Sequence, residues 1–142
     1  MALEVFMDEV MSTARKHDDP ATITEILVPR MAELLKTAGN FLTDEHKKTC
    51  DEAYARNPLF IADDGSCSLM ALCWTPGQWT PIHDHGTWGV VGVYEGVLEE
   101  FSFIRTDDYS HDESGIVLKR GGSILLNEGS VTSFVPNPDH IH

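Results

Sequence analysis

From Leu59 to the C-terminus the chain is cut into short β-prone runs, 67–74, 78–83, 88–94, 97–105, 115–120, 123–127 and 131–135, separated by Gly, Pro, Asn and Asp. Many short strands at such intervals suit a sandwich or a barrel. Upstream the apolar period changes. Val5, Phe6, Val10 and Met11 within residues 3–16, and Ile23, Ile26, Leu27, Met31, Leu34 and Leu35 within residues 20–38, recur close to helical spacing. Asp19 followed by Pro20 supplies a helix start and Gly39-Asn40 a stop. A third helix is expected from Asp44 to Ala55. The chain therefore reads as one mainly β domain over residues 1–142, with a helical N-terminal segment, 1–55, covering one end or face of a β unit, 56–142. No internal repeat or low-complexity segment interrupts it.

Within the β unit, His83-Asp84-His85 follows Pro76-Gly77 by a few residues and precedes the Gly-punctuated apolar run Gly86–Gly96. On a strand, side chains at i and i+2 share a face about 6–7 Å apart, so both imidazoles can reach one ion while Asp84 points away. That is half of a metal site. A catalytic metal needs a third protein ligand and open positions for substrate. His17 and His46 lie in stretches that read as helical and His111 in a polar turn, so solvated surface roles are expected for all three. His140 and His142 remain, in Pro136-Asn137-Pro138-Asp139-His140-Ile141-His142. Residues two apart share a strand face, so spacing alone does not choose between them.

The stretch Pro76–Gly96 resembles the first cupin motif, in which Gly, five residues, His-x-His and a later Gly mark two strands of a small β-barrel, and the Pro-rich turn before His140 and His142 is where the second motif brings its histidine. Where many cupins place a glutamate ligand this chain has Gly89 and Val90. Tyr54-Ala55-Arg56-Asn57 is similar to a Tyr-x-Arg-Asn element, and Ser68–Trp74 to the strand leading into His-x-His, of the cysteine dioxygenase and 3-mercaptopropionate dioxygenase family. The resemblance runs from about Tyr54 to the C-terminus. It implies a cupin double-stranded β-helix, or jelly-roll barrel, and a cytoplasmic thiol dioxygenase in which a small thiol receives both atoms of O₂ on sulfur, giving a sulfinate, at a non-haem Fe(II) held by three histidines. Those would be His83, His85 and His142, because in the family an apolar residue precedes the third ligand, with His140 as the alternative. Another divalent metal such as zinc or nickel suits a three-histidine set as readily. The family's cysteine–tyrosine crosslink is not expected, since Gly89 and Val90 occupy that region.

Between Arg56 and Arg105 there is no lysine or arginine. Arg56 is thus the basic side chain at the entry to the β unit, and its planar fork suits a substrate carboxylate. The match to the family element implies that role and leans towards cysteine; the plainer reading pairs Arg56 with Asp51 or Glu52. Tyr54 is expected to support the pocket through its hydroxyl or to be a buried structural tyrosine. Trp79 and Trp88 flank the histidines as core residues or as walls of the site. Cys50, Cys67 and Cys73 have no CxxC spacing and are odd in number, which indicates neither a zinc knuckle nor a disulfide framework. Cys73 is expected to pack as a small hydrophobe.

Ten basic against 23 acidic residues give a net charge of −13, which argues against nucleic acid and anionic membrane surfaces as partners. No signal peptide or membrane-spanning run is read, and unpaired cysteines suit a reducing cytoplasm. The last residue, His142, falls on the strand expected to supply the third ligand, so the sequence is expected to be a fragment lacking its closing C-terminal strands. The runner-up reading is a cupin that binds a metal or small ligand without oxidising it, as a sensor or structural module. Oligomeric state is not legible.

Overall fold

The computed structural model describes residues 1–111, 114–136 and 141–142. Helix α1 spans Leu3–Lys16 and α2 spans Pro20–Leu35. Their limits follow local chemistry. The Asp19 carboxylate accepts from Thr22 N–H at 2.9 Å, capping α2, and Pro20 at the first position gives up no needed donor. The apolar stripes meet: Phe6, Met7 and Val10 of α1 pack with Ile23, Leu27, Met31 and Leu34 of α2. Burying side chains the size of Leu27 and Met7 contributes about 1.5–3 kcal/mol each. At the rim Arg30 Nε and Nη2 donate to the Glu9 carboxylate at 2.7 and 2.6 Å, tying the helices together.

The expected third helix is only a single 3-10 turn, Asp44–Lys47. Its propagation is blocked by a competing partner. Asn57 Nδ2 donates to the carbonyls of His46 at 3.1 Å and Lys48 at 2.9 Å, oxygens that a continuing helix would use itself. Residues 55–61, which lie outside every run expected to be a strand, form strand β1, Ala55–Ile61, paired antiparallel with β2, Ser68–Cys73. Its register shifts between Pro58 and Phe60, which accommodates an exposed proline in a strand.

Strands β3, Gly89–Gly92, and β6, Val131–Phe134, form a second antiparallel pair, and β4, Val97–Arg105, and β5, Leu118–Asn127, a third. The runs expected at 115–120 and 123–127 are thus one strand passing through Gly121-Gly122. Gly121 marks a close approach: a Cβ there would lie 2.7 Å from Ser102 Oγ. The run expected at 78–83 is not a strand. Pro76-Gly77 makes a turn closed by Gln78 N–H to Thr75 O at 3.1 Å, with Gly77 at φ +88°, and Gln78 Nε2 anchors it to the Cys50 carbonyl at 2.7 Å.

Among the described residues the architecture is two helices and three two-stranded antiparallel ladders, with no single closed barrel. Helix α2 lies on β3 and β6, and Trp88, Val90 and Val131 extend the helical core into that pair. A Cβ on Gly92 would come within 3.0 Å of Met31 and Leu35, so the bare glycine sets how closely α2 approaches. Among the described residues no helix is long and apolar enough to cross a membrane.

Candidate metal centre

The segments carrying His83 and His142 face each other across a short antiparallel bridge. His83 N–H donates to His142 O at 2.9 Å and His142 N–H to His83 O at 3.0 Å, with Asp84 opposite Ile141. Residues exchanging both backbone bonds lie directly opposite, which puts their side chains on one face. Ile141 is buried and its carbonyl accepts from Phe103 N–H at 2.8 Å, so the terminal segment lies between the His83 segment and β4. Asp84 is exposed. The i, i+2 relation holds although His83 and His85 lie outside regular strand.

The three rings converge. Their centroids are 4.6 Å (His83–His142), 4.8 Å (His83–His85) and 5.2 Å (His85–His142) apart. His85 Nε2 is 3.0 Å and His83 Nε2 3.2 Å from His142 Nε2. Among the described residues this is the one group of three or more His, Cys, Asp or Glu placed to hold an ion. His83 Nδ1 is 2.7 Å from the Pro81 carbonyl, which can only accept, so that nitrogen carries the proton and Nε2 presents a lone pair. His142 Nδ1 is 3.3 Å from Glu100 Oε2, an arrangement that fixes the same tautomer. Two lone pairs facing each other at 3.2 Å repel unless a positive charge lies between them. Nitrogens about 2.1 Å from one ion and at right angles about it would be about 3.0 Å apart. The donor set therefore fits a divalent metal bound on one face by three imidazoles.

Arg56 and Tyr54 stand at the start of β1, on a different ladder from the segments that carry the trio. Arg56 lies on β1 opposite Leu72, exposed, with no ion pair among the described residues, so the pairing with Asp51 or Glu52 is not formed. Tyr54 stacks on Trp74 with centroids 5.2 Å apart and planes 13° from parallel. Among the described residues neither side chain makes a hydrogen bond or ring contact with the histidines. Trp88 packs on the helical core, whereas Trp79 is 57% exposed and stacks on Phe101 at 5.2 Å. Cys73 meets the His46 carbonyl through Sγ at 3.4 Å, and all three cysteines are free. His46 receives the Thr43 N–H on Nδ1, His111 is exposed and His17 half-buried; none joins the trio. His140 lies outside the described residues.

Two site residues escaped the sequence reading. Glu100 sits on a strand that the pattern located correctly, but nothing in the spacing links it to a histidine 42 positions later. Phe134 stacks on His85, centroids 3.8 Å apart and planes 18° from parallel. Its signal was Gly89, whose missing side chain leaves room for that ring.

Residues 36–126 match the family model for cysteine dioxygenase type I. The chain belongs to the cysteine dioxygenase type I family. It is 27% identical to the cysteine dioxygenases type 1 of Bos taurus, Homo sapiens and Pongo abelii, in alignments covering 82% of this chain and 72% of each relative. Membership makes it a thiol dioxygenase of the cupin type. The matched range contains the positions of Tyr54, Arg56, His83, His85 and Glu100 and ends before His142, which the geometry places beside the other two histidines.

Proposed function

We propose that this chain is an Fe(II)-dependent dioxygenase of small thiol carboxylates, cysteine or 3-mercaptopropionate, built as one cupin domain with His83, His85 and His142 as its metal ligands. The observation that carries the reading is the convergence of the three imidazoles, two of them held through Nδ1 so that Nε2 points inward. The antiparallel ladders are compatible with the arms of a double-stranded β-helix. Iron is preferred to zinc because zinc has no redox chemistry of its own.

Bound there, the ion would supply open positions where thiolate and O₂ meet. Three neutral ligands leave its positive charge uncompensated, which favours a thiolate over a thiol. The overall reaction forms two S–O bonds and breaks the O–O bond, sulfur losing four electrons and O₂ gaining them. Arg56 receives the substrate carboxylate in its planar fork, which is exposed and has no ion pair among the described residues. Tyr54, held flat on Trp74, supports the pocket beside it. Three free thiols suit a reducing cytoplasm.

The test is O₂ uptake by anaerobically iron-loaded protein given cysteine, 3-mercaptopropionate or cysteamine, with His83→Ala as control. Uptake with a matching sulfinate, lost in the control, is the expected result. No uptake with iron demonstrably bound would leave a metal-binding cupin that does not oxidise thiols.

A further inference from the structure

We infer that Glu100 is the residue that positions and electronically tunes His142 as a metal ligand, an inference that rests on the three-histidine reading. Glu100 stands on β4, and its Oε2 lies 3.3 Å from His142 Nδ1, the nitrogen facing away from the histidine cluster. Both side chains are 19% exposed, so the pair is largely shielded from solvent and its attraction only partly screened. Three consequences follow from elementary chemistry. A carboxylate at Nδ1 keeps the proton there and the lone pair on Nε2. It fixes the ring's rotation, as the Pro81 carbonyl does for His83 at 2.7 Å. It also places a negative charge one ring away from the ion, making His142 a stronger donor than His83, whose Nδ1 meets a neutral carbonyl, and lowering the net charge of the centre.

The terminal segment gives this residue particular weight. His142 is held by its backbone bonds to His83 and, through Ile141, by β4, so β4 supplies both a backbone anchor and a side-chain anchor to the same ligand. Glu99 is exposed, which makes it a control of equal charge outside the pair.

The experiment compares wild type, Glu100→Ala, Glu100→Gln, Glu99→Gln and His83→Ala in anaerobic titrations with Fe(II) and Co(II) against a competing chelator, together with the Fe(III)/Fe(II) midpoint potential. Glu100→Ala should bind about 10–100-fold more weakly. Glu100→Gln retains an acceptor for Nδ1–H, so it should recover part of that loss while its midpoint potential rises, because the negative charge is gone. Glu99→Gln should match wild type in both. The inference is overturned if Glu100→Gln keeps both the affinity and the potential of wild type, since a residue that only packs would leave the potential unmoved. Should Glu100→Ala fail to fold, the isosteric Gln variant still decides. Undiminished binding by His83→Ala would overturn the three-histidine reading itself, an outcome distinct from a failure confined to Glu100.

Discussion

The ring of Phe134 lies against the imidazole of His85, centroids 3.8 Å apart and planes 18° from parallel, and it can do so because residue 89 is glycine. A Cβ at that position would stand 2.1 Å from Phe134 Cζ, far inside contact distance. The glycine found where many cupins carry a ligand glutamate thus seats the aromatic face that holds the second histidine.

Gly89→Ala is accordingly expected to displace Phe134 and let His85 turn away from the other two rings. Overpacking of this kind costs about 1–3 kcal/mol of stability. Metal affinity should fall as well. Thermal melts with and without Fe(II) check both effects, and a double variant with Phe134→Leu should restore stability but not the orientation of His85.

Arg56→Ala is expected to reduce kcat/KM for cysteine and 3-mercaptopropionate and to leave turnover of cysteamine, which has no carboxylate, nearly unchanged. A charge-assisted bond contributes about 1.5–3 kcal/mol, which corresponds to roughly 10–100-fold. Arg56→Lys should recover only part, because an ammonium lacks the planar fork. Steady-state kinetics on the three thiols measure the split.

Helix α1 and the start of α2 were legible to the residue, because the stripe of Phe6, Val10, Ile23, Leu27, Met31 and Leu34 repeats at the helical period and Asp19-Pro20 is a local start signal, whereas α2 ends at Leu35, short of the expected stop at Gly39-Asn40. Strand β4 was equally plain. Errors arose where distant groups decide. Asn57 takes the carbonyls that residues 44–55 would need for a helix, and β1 exists through pairing with β2, neither of which a local window contains. Gly121-Gly122 separated two expected runs because Gly121's need for space beside Ser102 is invisible in one dimension. His83 and His85 announced themselves by adjacency, whereas Glu100 contributes through a contact across 42 residues.

Leu27→Ala should cost about 2–5 kcal/mol, since the side chain is 1% exposed and its removal leaves a cavity between the helices. As α2 supports β3 and β6, the loss is expected to appear in urea unfolding and in a lower thermal midpoint of the Fe(II)-loaded form.

The turn after β4 should be acid-labile. Arg105 Nε donates to both Asp107 oxygens at 2.9 and 3.0 Å, and Asp107 also accepts from Val117 N–H at 2.8 Å, which together hold its carboxyl far below the ordinary aspartate value of 3.8. A depressed carboxylate stabilises the fold above the unfolded value, and that contribution is lost as pH falls through the lowered one. Asp107→Asn should therefore lower the melting temperature at neutral pH and flatten the decline below about pH 4. Melts from pH 7 to pH 2 compare the two proteins.

The central claim is that His83, His85 and His142 together carry thiol dioxygenation. Mass spectrometry of the product formed under ¹⁸O₂ by the Fe(II)-loaded protein tests it most directly, with each histidine replaced in turn by alanine. The account predicts a sulfinate carrying two ¹⁸O atoms from the wild type and none from any of the three variants. A sulfinate with one labelled oxygen, or an undiminished yield from His142→Ala, would contradict it.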